Sequence, residues 1–366
     1  MSAPHADASA ERRRRLFFAA ALALGLGLIG LLVWLSDTPT LVRTAAAINP
    51  AAFGLPVVLT VLSYAAMSRS YQGIADAAGC ELPFFEWLRI TFVSNTVNYL
   101  VTTAGLSGFA VRMFLLSKRE VPSGRAVLIS LVQTFLTNFT LLAFILLGFA
   151  TLLLRESLSA PALAAASTAV VLFAGILGWA LVLIYNHRLR RRTLFFIADA
   201  VHRILRRVVP RWTPGRVRLW RFQHSLNDGL EFLLARKERM LAPAGWIMLD
   251  WVLTIAILWA AFWAVNHPIS PGLVVVGFAV GIALSLVSFV PGGLGVMEGS
   301  MTAVFTSLGV PFENAFLAVL IFRVAYYVLP LLLSFVLFHS LMLQAAHAVA
   351  RRSRAPRFDT SLPPPI

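Results

Sequence analysis

The chain has 366 residues, 59% of them hydrophobic and 13% charged, and its 31 basic against 16 acidic side chains give a formal net charge of +15. Several apolar runs approach the ~20 residues that a helix needs to cross a bilayer. This composition describes an all-α, polytopic integral membrane protein and excludes a soluble enzyme. A membrane β-barrel would show short alternating segments instead, and the sequence has none.

The positive charge is concentrated. Residues 187–241 hold 14 Lys and Arg against 4 Asp and Glu, a local excess of +10. Such asymmetry marks cytoplasmic segments of membrane proteins. No nucleic-acid recognition motif accompanies it, so anionic lipid headgroups are the expected neighbours. Cys80 is the single cysteine, which rules out an intrachain disulfide.

Residues 1–15 read as a basic cytoplasmic N-terminus and residues 16–343 as the transmembrane domain. Arg12 to Arg15 precede an apolar run over 16–35, too long for a signal-peptide core and without a small-residue cleavage site. It is expected to be a first, uncleaved span. A second span covers 53–68, with Pro56 in its first turn, and returns to the cytoplasm at Arg69. Residues 84–101 then lead into a break at 102–108, followed by a short apolar piece over 109–116 that ends at Lys118 and Arg119. At 1.5 Å per residue that piece is too short for a hydrocarbon core of about 30 Å, so a re-entrant hairpin is expected.

Residues 126–154 and 162–185 form the next two crossings and enter the basic segment. Within it, Leu194, Ile197, Val201, Ile204, Leu205 and Val208 recur at helical spacing, the pattern of an amphipathic helix on the membrane surface or one packed in a cytoplasmic cap. A span over 243–265 follows, and then 271–290 runs into a second break. Residues 296–308 are again short, 315–343 form the last span, and 344–366 are a basic, proline-rich tail. The expected architecture is six full spans plus two re-entrant or broken-helix hairpins, with both termini cytoplasmic in the inner membrane.

The second break, Pro291-Gly292-Gly293-Leu294-Gly295-Val296-Met297-Glu298-Gly299, is the most informative stretch. Proline withholds an N–H and glycine frees the backbone. At membrane depth such backbone persists only where protein buries it or a polar cavity lines it. Glu298 is an acid inside the membrane, and Arg323 is a base inside the apolar run that follows; both are functional-site candidates that require partners. They are expected either to pair directly or to flank a polar cavity, with Arg323 holding a phosphate oxygen through its forked donors. A structural ion pair, or a capping role for Glu298, is the plainer reading of the same residues. Gly292, Gly293 and Gly295 would supply backbone to the site. In the first hairpin, Asn98 and Arg112 are the corresponding candidates, and Asn95, Thr102, Thr103, Asn138, Asp250 and Trp251 read as polar contacts between helices.

The two hairpins share an order of parts. Val121-Pro122 and Val310-Pro311 lie 189 positions apart, and Gly105-Leu106 and Gly293-Leu294 lie 188 apart. Three crossings between them would make the hairpins enter from opposite faces, the arrangement of an inverted repeat around a midplane substrate site.

Residues 291–298, with Leu308-Gly309-Val310-Pro311, Phe322-Arg323 and Leu329-Pro330, resemble the second motif block of the flippase-like transmembrane domain of lysylphosphatidylglycerol synthases. The resemblance runs over about residues 16–343. In the first block Gly108 and Arg112 match, but Phe109 stands where the family tends to carry an acid, and Thr134, Phe135 and Asn138 replace a charged set. The resemblance implies translocation of an anionic or polyprenyl-linked lipid. Bifunctional members add a soluble aminoacyl-transfer domain, for which a chain ending at Ile366 is expected to have no room. The competing reading is a membrane-embedded transferase or an accessory subunit in lipid or glycan synthesis. No cofactor or metal is expected: His187, His202, His224 and His267 lack ligand spacing, and the glycine run lacks the Lys-Ser/Thr of a phosphate loop.

Overall fold

The computed structural model describes residues 30–34, 36–48, 50–100, 106–153, 160–186, 237–287, 290–334 and 336–337, with a few isolated positions elsewhere. Most of the expected first span, the residues 101–105 of the first break, the amphipathic stretch over 194–208 and the C-terminal tail lie outside the described residues. Ten helices are described: α1 (Thr38–Ala46), α2 (Pro50–Ala77), α3 (Phe84–Leu100), α4 (Leu106–Ser117), α5 (Ser123–Leu153), α6 (Ala160–Tyr185), α7 (Leu241–Ala264), α8 (Pro271–Val287), α9 (Val296–Ser307) and α10 (Phe312–Arg323). No strand occurs among the described residues. A π-helical turn, Val324–Val328, extends α10. By length and composition, four stretches among the described residues are long and apolar enough to cross a membrane: Ala51–Ala77, Ser123–Thr151, Glu238–Ala264 and Phe312–Ser334.

α2 differs from the reading of the sequence. It continues two turns past Arg69 to Ala77, because hydropathy marks where apolar surface ends and not where helical hydrogen bonding ends. Arg69 stays exposed on that extension, its guanidinium 4.2 Å from the Phe84 ring and donating to Gln72. Pro56 lies inside the helix, not in its first turn, and the Thr60 hydroxyl donates to the Pro56 carbonyl.

Polar side chains point inward and apolar ones outward over much of α2 and α3. Thr60, Ser63, Ser68, Ser70, Thr91, Ser94 and Thr96 are buried, while Leu55, Val58, Val61 and Leu62 are exposed. Lipid tails are as apolar as leucine, so packing here rests on close approach and hydrogen bonds between helices. Gly148 of α5 is such a contact: a Cβ there would run into the Ala279 methyl and lie 3.0 Å from the Val275 carbonyl of α8. Asp250 of α7 accepts the Ser63 hydroxyl at 2.5 Å across the most extensive helix contact in the molecule, α2 against α7. Ser334 meets Thr96 at 2.6 Å and pins the last helix to α3.

The two broken segments match in length. α3 and α8 have 17 residues each, and α4 and α9 have 12 each. Each pair is seated in its own apolar cluster. One gathers Tyr71, Ile74, Trp87, Ile90, Leu115 and Ile129 around α3 and α4; the other gathers Phe262, Phe278, Met301, Phe305, Phe316 and Phe322 around α8 and α9.

In the second break, Gly292, Gly293 and Gly295 have φ of 62°, 63° and 78°. Residues with a Cβ pay about 1–2 kcal/mol in that region. Gly293 is confined as well, since a Cβ there would strike the Ser285 hydroxyl. Gly299, one turn into α9, has neither restriction, with Leu32 no nearer than 3.8 Å. Thermal unfolding in detergent should separate the two. Gly293→Ala is expected to lose at least ~1–2 kcal/mol, whereas Gly299→Ala is expected to be neutral or to gain up to ~1 kcal/mol from helix propensity.

Candidate functional site

A broken helix at membrane depth strands carbonyls that water cannot reach, and each needs a donor. Arg323 supplies it. Its Nη2 donates to the Gly292 carbonyl at 2.9 Å and to the Gly293 carbonyl at 3.1 Å. The same nitrogen lies 3.3 Å from Glu298 Oε2, and Arg323 Nε lies 2.7 Å from Glu298 Oε1. The Nε–H points off the line to that oxygen, so this closest approach acts as a charge–charge contact and not as a directed hydrogen bond. Both side chains are buried, Glu298 at 1% exposure and Arg323 at 6%.

Glu298 has a second task. It is the third residue of α9, and its Oε2 accepts the Gly295 N–H at 2.7 Å, closing the helix start in the manner of a capping-box glutamate. Its negative charge also complements the helix N-terminus. The two readings of Glu298, cap and ion-pair partner, therefore describe one arrangement. The Arg323 guanidinium is completed by an aromatic face, with Cζ 4.3 Å from the Tyr327 ring centre.

Tyr327 sits on the π turn, a feature with no signature in the hydropathy pattern and one that often marks functional positions. That turn gathers tyrosines. The Tyr99 ring lies 4.8 Å from Tyr327, and the Tyr99 hydroxyl meets that of Tyr326 at 3.4 Å. Tyr64 of α2 stacks on Phe92 and borders Tyr326. Four of the six tyrosines of the chain, Tyr64, Tyr99, Tyr326 and Tyr327, meet here, and the spacing of Arg323 and Tyr327, one helical turn apart, was the signal available for them.

The first hairpin meets the second at this point. The Tyr99 carbonyl, at the end of α3, lies where a Cβ on Gly292 would be 3.0 Å away. The residues singled out from sequence thus fall into two groups. Gly292, Gly293, Gly295, Glu298 and Arg323 form one contiguous unit. Asn98 and Arg112 form another on α3 and α4, where Gly108 lets the two helices touch: a Cβ there would be 2.7 Å from the Ser94 carbonyl and 2.8 Å from Asn98 Cβ. The far end of that hairpin is clasped by Arg119 and Glu86 at 2.6 Å. Asn138 faces outward and donates to the Thr134 carbonyl of its own helix. Asp250 and Ser63, which bridge α2 and α7, are the buried polar pair whose partnership sequence alone did not reveal. Among the described residues no cluster of His, Cys, Asp and Glu has the makings of a metal site.

Residues 18–334 match the family model of the lysylphosphatidylglycerol synthase TM region. A phosphatidylglycerol lysyltransferase of Staphylococcus haemolyticus (strain JCSC1435) is 33% identical over 88 residues, which is 24% of this chain and 10% of that protein. Phosphatidylglycerol lysyltransferases of Staphylococcus aureus strains COL and MRSA252 are 31% identical over the same length and shares. The aligned part is thus about a tenth of the relatives' length, whereas the family model covers most of this chain, and the chain belongs to the lysylphosphatidylglycerol synthase TM region family of multi-pass membrane proteins.

Proposed function

We propose that this protein moves an anionic or polyprenyl-linked lipid between the leaflets of the bilayer, from a position in the cytoplasmic membrane with both termini on the cytoplasmic side. Support comes from its membership of a membrane lipid-related family and from two broken helices of matching lengths. The observation that carries the reading is the contact of the end of α3, at Tyr99, with the second break at Gly292. A headgroup crossing the bilayer needs polar partners along a path whose sides accept acyl chains. Interrupted helices provide exposed backbone dipoles at that depth.

In this reading Arg323 and Glu298 form the polar gate between the hairpins. The Arg323 guanidinium holds a carboxylate and two carbonyls, and a phosphate presents the same geometry to its forked donors. A passing headgroup exchanges with Glu298 on Arg323, and the glycines let the break yield without a steric penalty. The basic stretch over 187–241 holds the protein against anionic headgroups on the cytoplasmic face.

The test uses purified protein in vesicles containing a fluorescent phosphatidylglycerol, with a membrane-impermeant quencher reporting leaflet exchange. The protein is expected to accelerate exchange over empty vesicles. Arg323→Lys keeps the charge and loses the bidentate fork, and is expected to slow exchange about tenfold at equal folded yield, the cost of one charged hydrogen bond. Exchange no faster than in empty vesicles, for every anionic and polyprenyl-linked lipid tried, removes the transport reading.

A further inference from the structure

Arg112 on the first hairpin and Arg323 on the helix that follows the second are buried cations in unequal surroundings. Arg112 lies with Cζ 4.3 Å from the Tyr71 ring centre, matching the 4.3 Å between Arg323 and Tyr327. Arg323 has a carboxylate, but Arg112 has none within ion-pair distance among the described residues. Its one polar contact is a long one, Nη2 to the Ser94 hydroxyl at 3.4 Å, and its Nε has no partner. Arg112 is nevertheless 5% exposed. Guanidinium does not shed its proton in proteins, so a buried one without an anion carries an uncompensated desolvation cost.

The helix opposite is shaped to the same end. Trp87, Thr91, Ser94 and Asn98 follow one another on α3 at spacings of four, three and four, a single helical stripe. Ser94 and Asn98 of this stripe pack on Gly108, one turn before Arg112. Trp87 Nε1, Thr91 Oγ1 and Asn98 Oδ1 are all buried and lack hydrogen-bond partners. Trp87 stacks on Tyr71, the ring beneath Arg112. Buried polar atoms without partners are few in natural proteins, and several along one helical stripe facing a buried cation call for an explanation, which a bound anion would supply for the donors among them.

We infer that the Arg112 guanidinium, with Trp87, Thr91 and Ser94, forms a binding site for the phosphate group of the lipid substrate, occupied before the headgroup reaches the Arg323 gate. Planar forked donors and neighbouring N–H and O–H groups are the recognition set for a phosphate oxygen cluster. Arg112 lies about 8 Å from the Ser117 end of α4 along the helix axis, at 1.5 Å per residue, close to Lys118 and Arg119. That depth suits a phosphate lying just below its own leaflet's headgroup layer, and Phe114 on the same helix exposes an apolar ring beside it. This site rests on the transport reading for its place in the sequence of events, but its occupancy is measured independently.

The experiment is calorimetric titration of the full-length protein in detergent with three probes: dihexanoylphosphatidylglycerol, inorganic phosphate, and dihexanoylglycerol, which has no phosphate. The phospholipid is expected to bind and the diacylglycerol not to. Arg112→Gln is expected to weaken phospholipid binding about ten- to a hundredfold, the loss of a charged hydrogen-bonding group. Trp87→Phe, which keeps the ring and removes only the N–H, and Thr91→Val are expected to weaken it by at least a few-fold, and they decide the matter if Arg112→Gln does not fold. Unchanged affinity in these variants, or equal binding of dihexanoylglycerol, overturns the site. Arg112-dependent binding of inorganic phosphate with none of the phospholipid upholds the phosphate chemistry and overturns the lipid source. A protein that binds phospholipid through Arg112 yet fails to exchange it across vesicles keeps the site and loses the transport reading; normal exchange with binding indifferent to Arg112→Gln does the reverse.

Discussion

One guanidinium holds the centre of this protein together. The chain breaks a helix at Pro291–Gly293, where no water is at hand to replace the lost backbone hydrogen bonds. Arg323 reaches across from α10 to take two of the stranded carbonyls, and the negative charge that makes its burial tolerable comes from Glu298, which is itself occupied in starting α9. Three demands meet in five residues: backbone satisfaction, charge neutralisation and helix initiation. Each would be costly alone in a low-dielectric interior, and together they offset one another.

The surrounding packing follows from this arrangement. Tyr327, one turn after Arg323, sets its ring against the guanidinium within the π turn of the last helix. Through Tyr99 and Tyr326 the same turn ties the second hairpin to the end of the first. The hairpins share their dimensions, and Arg112 of the first and Arg323 of the helix after the second each lie on a tyrosine ring, but among the described residues only Arg323 has a carboxylate beside it. A cation paired with a carboxylate beside the second break and a cation without one in the first hairpin form an arrangement suited to passing an anion from the open cation toward the paired one.

Much of the class and part of the site were legible in the sequence. An acid and a base buried in separate apolar runs each demand a partner, and that demand alone identified Glu298 with Arg323; the cluster of glycines located the break. Other features depend on tertiary contacts that no periodicity encodes. The exposed position of Arg69 within a continuing helix, the π turn at Val324–Val328 and the bridge from Ser63 to Asp250 are of this kind. The first hairpin shows the limit most plainly. Its scarcity of charge gave no hint that Arg112 is buried with a long contact to Ser94 and no carboxylate at hand among the described residues, whereas Arg323 lies against Glu298 and two carbonyls. Counting charges in a sequence does not reveal which of them are spoken for.

The central claim is that Arg323 and Glu298 act as one unit in closing the break. A double-mutant cycle with Arg323→Met, Glu298→Met and both together, read as unfolding free energy in mixed micelles, tests it most directly. Either single change leaves a buried charge unpaired and should cost about 3–5 kcal/mol, while the double variant should cost less than the sum by at least ~2 kcal/mol. Losses that add to within about 0.5 kcal/mol would show two independent residues and contradict the account.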